Sequence, residues 1–101
     1  MKGLMLCQLQ KGYRDFVIEK LQLLENITYK AMMGEYLLYN NGVLFGGIYD
    51  NRLLIKPVMS NKKFALSMQI PYENAKPMYY LSDDLTPEQL KEIITETLKD
   101  L

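Results

Sequence analysis

The feature that most constrains this chain is an Asn-Gly pair between two apolar stretches near the middle of the sequence. Asn41-Gly42 separates residues 35–39 (EYLLY) from residues 43–45 (VLF). Both central residues of a type I′ turn have positive φ, which asparagine and glycine tolerate, so this pair is the strongest short signal for a β-hairpin. The turn predicts that Asn40 pairs with Val43 in an antiparallel ladder.

Further signals extend this hairpin into an antiparallel meander. The second strand continues through 46–49 and reaches another turn dipeptide, Asp50-Asn51. Residues 52–56 then return, and Pro57 ends the strand because proline has no N–H to donate to the ladder. The glycine pair within 46–49 indicates a bulge or the close approach of another element. Residues 27–33 predict an additional strand leading into the hairpin.

The segment between the meander and the last helix gives weaker signals. Ser60 is expected to cap a short helix that runs through Phe64 and Leu66. Two prolines within 70–77 indicate an ordered loop, and 78–81 predict a short strand at the edge of the sheet.

Two helices flank these strands. Apolar residues at steps of three and four predict an amphipathic helix from Gly12 to Leu24. The closing helix has Thr86 as its N-cap, proline at its first position and Gln89 in a capping box. We therefore expect an α+β fold with an N-terminal helix, an antiparallel β-meander with an additional short strand, and a closing C-terminal helix packed on the sheet. Residues 13–101 form one domain, preceded by an N-terminal extension at 1–12.

Composition excludes several classes of site. Among 101 residues, 12 are basic, 12 are acidic, none is histidine and one is cysteine. The missing histidine rules out Ser-His, Cys-His and His-metal arrangements, and a neutral balance argues against strong, non-specific nucleic-acid binding. Neither a signal-peptide pattern nor a membrane-length apolar run is present. We expect a cytoplasmic, non-enzymatic protein without a metal or cofactor.

Several short motifs together resemble the N-terminal domain of the TfoX/Sxy family. They are 27–36 (ITYKAMMGEY), 45–50 (FGGIYD), 53–57 (LLIKP) and 71–78 (PYENAKPM), within a similar stretch that covers 13–101. The resemblance implies an α+β fold and a role in regulation. Full-length members of that family promote competence genes for DNA uptake, are expected to assist the cyclic-AMP receptor protein at promoters, and carry a second, C-terminal domain. No catalytic residues follow from the resemblance.

We therefore expect a small TfoX-like regulatory or interaction protein that acts through protein contacts, with the transcription machinery as the expected kind of partner. The candidate contact surface is Met32, Met33, Tyr36, Tyr49 and Arg52. A sheet edge rich in tyrosine would also favour a homodimer.

Two alternatives use other residues. The first is direct nucleic-acid binding through Lys56, Lys62, Lys63 and Lys76, which lie in a mildly basic central part of the chain. The second, an enzyme acting on a small molecule, requires a deep pocket with a perturbed carboxylate such as Glu35. If that carboxylate is buried it must be paired, and Lys30, Lys56 and Arg52 are the available cations.

Overall fold

The fold is an antiparallel sheet with helices on one face. The computed structural model describes the backbone of residues 2–101 and the side chains of residues 10–101. The strand order is β1-β2-β3-β4-β6-β5, and every neighbouring pair is antiparallel. The predicted α+β class is confirmed. In chain order the elements are α1 (Lys2–Lys20), β1 (Ile27–Met32), β2 (Glu35–Asn40), β3 (Val43–Ile48), β4 (Leu53–Ile55), a 3-10 helix (Met59–Phe64), β5 (Met68–Gln69), β6 (Met78–Leu81) and α2 (Pro87–Leu98).

Three tight turns connect the first four strands. Asn41 and Gly42 have φ of 50° and 80°, and Asn40 pairs with Val43 as predicted. Asp50-Asn51 also turns with positive φ at both residues, which joins β3 to β4. The turn between β1 and β2 is Met33-Gly34, again with positive φ at both positions. Such turns match the right-handed twist of the flanking strands, and they fix the register of each hairpin.

The glycine pair lies where β3 is closely packed on both sides. The pairing register shifts between Leu38 and Tyr39, which confirms the predicted bulge. A Cβ on Gly46 would lie 2.2 Å from the carbonyl oxygen of Leu54, and one on Gly47 would lie 2.8 Å from a ring carbon of Tyr49. Neither position has room for a larger residue.

The core lies between this sheet and the helices. Alternate side chains of β2 and β4 point towards the helices, whereas the bulge in β3 turns both Phe45 and Ile48 inward, so the inward residues of four strands meet one face each of α1 and α2. The buried cluster consists of Val17, Leu21, Tyr36, Leu38, Phe45, Ile48, Leu53, Ile55, Leu81, Leu90, Ile93 and Ile94. Each side chain of this size contributes about 1.5–3 kcal/mol when it is fully buried.

A buried polar cluster attaches the 3-10 helix to α2. The Asn61 amide donates to Lys56 O and to Thr97 Oγ1, both at 2.9 Å, and its oxygen accepts from Val58 N at 3.0 Å. Thr97 Oγ1 in turn donates to Ile93 O at 2.8 Å. Because both side chains are fully buried, these bonds offset the cost of removing their polar atoms from water.

Several predicted boundaries differ from the structure. α1 begins at Lys2 and ends at Lys20, whereas the prediction placed the helix from Gly12 to Leu24. Thus the part of the predicted 1–12 extension that the structure describes, residues 2–12, is continuous with the helix, because a single glycine weakens a helix without ending it. Residues 21–24 instead form turns, with Leu24 N donating to Leu21 O.

Two further predictions from the second half of the chain are wrong. Residues 78–81 form β6, which lies between β4 and β5 and is therefore internal rather than at the edge. Ser60 lies inside the 3-10 helix, and its hydroxyl donates to Glu96 O instead of capping the helix. That helix ends at Phe64, because Ala65 adopts a left-handed conformation with φ of 51°. The closing helix has the predicted cap: Thr86 Oγ1 accepts from Gln89 N at 3.1 Å.

Candidate interaction surface

Two of the hairpin turns lie at the same end of the sheet, which we call the turn end. They are Met33-Gly34 and Asp50-Asn51, and antiparallel topology places them side by side. Gln10 of α1 connects them: its Nε2 donates to Gly34 O, and its Oε1 accepts from Asn51 N at 2.9 Å. Gln10 is only 3% exposed. Nothing in the sequence singled out Gln10, because a glutamine in a helix has no pattern that indicates such a tertiary contact.

The Arg52 side chain fastens the loop that follows β5 to the sheet. Its Nε donates to Tyr49 O at 3.1 Å, and its Nη1 donates to Gln69 Oε1 at 2.9 Å and to Ile70 O at 3.1 Å. Its Nη2 donates to Pro71 O at 3.2 Å. The planar guanidinium suits such a set of acceptors because its donors diverge in fixed directions. The structure therefore gives Arg52 an internal role, which differs from the predicted contact with a partner.

The two predicted tyrosines are buried, so their rings do not supply a contact surface. Tyr36 lies on the core side of β2, where its ring meets Tyr29 edge-on with centroids 5.6 Å apart. Tyr49 follows β3 and covers the space that Gly47 leaves free, with its ring centroid 6.2 Å from that of Tyr72. Tyr36 is buried because alternation along β2 turns it towards the helices, and Tyr49 is buried because Gly47 has no side chain to occupy the space that the ring fills. The prediction that both rings belong to a contact surface is therefore wrong.

The two predicted methionines are exposed at the turn end. Met32 is 47% exposed and Met33 is 92% exposed. We call Met32 and Met33 the turn-end patch. The loop that Arg52 holds has two other exposed apolar side chains, Ile70 and Tyr72. These two were missed because a loop residue can be assigned to a surface only when the contact that positions the loop is known.

Glu35 is the first residue of β2 and directly follows the Met33-Gly34 turn. Its Oε2 is buried and has no hydrogen-bond partner among the described residues. Burial raises the pKa of Glu35, the negative charge of Asp50 raises this pKa further, and the positive charge of Arg52 lowers it. The expected pairing with a lysine or Arg52 is not found in the ion pairs of residues 10–101. Burial also raises the pKa of Tyr49, with the Glu35 charge as a further cause.

The four lysines of the nucleic-acid prediction lie at separate places. Lys56 and Lys76 line an open groove of about 370 Å³, together with Tyr72 and other loop residues. Lys62 and Lys63 are on the 3-10 helix, which is bonded to α2. The Lys63 ammonium is paired with Glu96 Oε1, and that pairing, with the one to Lys99, lowers the pKa of Glu96. The structure thus brings only two of the four lysines into one groove.

Two other kinds of site are absent from the described part of the chain. No group of three or more histidine, cysteine, aspartate or glutamate side chains there could hold a metal ion. None of the described helices combines the length and apolarity needed to cross a bilayer.

Comparison with known proteins shows similarity to a spirochaete protein. No protein-family model matches the chain. The chain is similar to the protein described as an uncharacterized 12.7 kDa protein in the trpE 5′ region of Spirochaeta aurantia, with 33% identity over 79 residues. The aligned stretch covers 76% of this chain and 68% of the spirochaete protein. The similarity therefore extends over most of both sequences.

Proposed function

We propose that this chain, which belongs to the family of the uncharacterized 12.7 kDa protein of Spirochaeta aurantia, is a small regulatory protein that acts through protein contacts. The turn-end patch is the contact surface. The description of the relative states no activity, so the proposal is based on the geometry of the patch and on the resemblance of the sequence to the TfoX/Sxy N-terminal domain.

The observation that carries this proposal is the exposure of Met33 on a tight, fixed turn. Met33 is 92% exposed, and the turn that presents it is bonded to the buried Gln10. Methionine side chains are flexible and polarizable, so they adapt to an apolar partner surface, and methionine is enriched in protein interfaces.

The exposed loop side chains Ile70 and Tyr72 are also held in place before any partner binds. The bonds from Arg52 to Ile70 O and Pro71 O fix the loop that carries Ile70 and Tyr72. Because little backbone freedom remains to be lost, binding through these side chains has a smaller entropic cost than binding through a mobile loop. By resemblance, the proposed partner is a protein of the transcription machinery.

A quantitative pull-down tests this proposal. Tagged wild-type chain is used to capture partners from a lysate of the native cell, with nuclease added, and is compared with Met33→Glu. The matched control is Met59→Glu, because Met59 is also exposed but lies on the 3-10 helix, away from the turn end. We expect recovery of the wild-type partner to fall at least tenfold for Met33→Glu and to remain unchanged for Met59→Glu. Equal recovery by both variants would reject the turn-end patch as the contact surface.

A second candidate function, direct binding of single-stranded nucleic acid, is favoured by the groove that Lys56 and Lys76 line with Tyr72. Basic side chains beside an exposed ring can hold the phosphate backbone while a base stacks. Two phosphate contacts would give a slope of about −1.4 in log K against log salt for a labelled single strand. Lys56→Ala with Lys76→Ala should abolish this dependence, whereas Lys62→Ala with Lys63→Ala should retain it. The absence of binding at low salt would exclude this function.

A further inference from the structure

We infer that β1 pairs with β1 of a second copy of this chain, in an antiparallel arrangement whose two-fold axis passes between the two Tyr29 residues. This strand is at the edge of the sheet and has six residues, of which five are exposed. The opposite edge, β5, has only two residues. Natural proteins usually protect long edges with lysine, proline, bulges or inward charges, and of these β1 has one lysine, Lys30. β1 contains no proline, and the register shift lies between β2 and β3.

The register of the first hairpin shows which backbone groups of β1 face outward. A two-residue turn is closed by a hydrogen-bonded pair, and here that pair is Met32 and Glu35. At the other end of the ladder, Asn41 N donates to Asn26 O at 3.1 Å. Hydrogen-bonded pairs alternate with non-bonded ones along an antiparallel ladder. Both ends therefore indicate that the even-numbered residues of β1 bond to β2.

The odd-numbered residues of β1 consequently direct their N–H and C=O groups away from the sheet. They are Ile27, Tyr29 and Ala31. No backbone in the described part of the chain pairs with this side of β1. A second copy can satisfy all six groups at once, because a two-fold axis at Tyr29 pairs Tyr29 with its counterpart and each Ile27 with the other copy's Ala31. In each of these pairs, both residues direct their N–H and C=O groups towards the other copy, so they can exchange hydrogen bonds.

Charge placement disfavours one of the two neighbouring registers, and the other would place Ala31 opposite residue 25, outside β1. With the axis at Tyr29, each Lys30 lies opposite the other copy's Thr28, on the sheet face away from the helices. With the axis one residue further on, Lys30 would lie directly opposite its counterpart, and like charges at such positions are destabilising. Strand alternation puts the two Tyr29 rings together on the helix-side face.

The Tyr29 side chain is already held in place for such a contact. The Arg14 guanidinium carbon lies 4.7 Å from the centroid of the Tyr29 ring, and the ring is 44% exposed. Arg14 is itself paired with Asp15 at 2.8 Å, so bringing two copies together does not bring two unpaired charges together. The pairing uses the backbone of Ile27, Tyr29 and Ala31 and not Met33, the residue whose substitution tests the proposed function, so the two proposals are tested separately.

Sedimentation of the full chain at high micromolar concentration tests the pairing. We expect a species of twice the 11.8 kDa monomer mass. Ala31→Pro removes an outward N–H that the isolated chain does not use, so it should give a monomer with unchanged circular dichroism. Ala31→Ser, which keeps the N–H, should remain dimeric. A wild-type monomer, or a dimer that survives Ala31→Pro, would overturn the inference.

Disulfide cross-linking tests the register without relying on the proline variant. In a Cys7→Ser background, chains carrying Thr28→Cys are mixed with chains carrying Lys30→Cys and oxidised mildly. The axis at Tyr29 predicts a cross-linked dimer that contains one chain of each kind, because positions 28 and 30 are opposite each other. Cross-linking of Lys30→Cys chains alone at the rate of the mixture would indicate the other register and overturn this one.

Discussion

Replacing Gly46 with alanine should lower the free energy of unfolding by about 3 kcal/mol or more. The new Cβ would lie 2.2 Å from Leu54 O and 2.9 Å from Ile55 Cα, whereas ordinary contacts begin at 3.4 Å. Both neighbours are backbone atoms of β4, so no side-chain rotation can relieve the overlap. β4 must instead move away from β3 by about an ångström, which weakens a ladder of three residue pairs.

Urea unfolding measures this loss, and Gly12→Ala is the matched control. Gly12 is inside α1 and a Cβ there meets no atom within 4 Å, so the same substitution should stabilise the protein by about 0.5–1 kcal/mol. The two variants should therefore shift the midpoint in opposite directions. For a domain of this size, a loss of about 3 kcal/mol also lowers Tm by roughly 12–24 °C. A Gly46→Ala variant as stable as wild type would refute the packing argument.

Three other substitutions test single interactions. Asn61→Ala should lower the free energy of unfolding, measured in urea, by about 2–4 kcal/mol, because the buried polar groups that bond to Asn61, including Thr97 Oγ1, lose that partner. A loss no larger than that from replacing an exposed asparagine would contradict this. Tyr13→Phe should cost about 1 kcal/mol by removing the 2.6 Å bond to Asp83. Burial and Asp83 raise the pKa of Tyr13 above its ordinary 10.0, so wild-type stability should fall more steeply than that of the variant as pH rises beyond that value. Glu35→Gln should flatten the pH dependence of thermal unfolding between pH 4.5 and neutrality, and an unchanged profile would contradict the assigned burial.

The sign of the Glu35 effect follows from the direction of its pKa shift. The folded-state pKa is raised above 4.5, so the folded protein binds this proton more tightly than the unfolded chain does. The stability from the protonated carboxyl is therefore fully present below pH 4.5 and is lost as pH rises through the folded pKa. Glutamine does not titrate, so the variant lacks this decline.

Local signals in the sequence were sufficient for most of the secondary structure. The Asn41-Gly42 hairpin, the turn at Asp50-Asn51 and the Thr86 cap all depend on residues a few positions apart. The backbone preferences of these residues hold in almost any tertiary context, which is why the α+β class could be predicted. The start of α1 could not, because its first turns have no distinct capping pattern.

The candidate surface depended on information that no short pattern contains. Met32 and Met33 are exposed as predicted, whereas Tyr36 and Tyr49 are buried and Arg52 bonds to its own chain. Which face of a strand is covered depends on where the helices pack, and that depends on contacts between residues far apart in the sequence.

By itself, the sequence determined the turns at Asn41-Gly42 and Asp50-Asn51 but not the one at Met33-Gly34, and it determined where α2 begins and which chemistries a chain without histidine excludes. Tertiary structure alone decided that β6 is internal, that Gln10 joins two turns, and that the Oε2 atom of Glu35 is buried without a hydrogen-bond partner among the described residues. The physical reason is the range of the interactions. Turn and cap preferences act within a few residues, whereas burial, strand order and the shift of a pKa arise only when distant segments meet and exclude water.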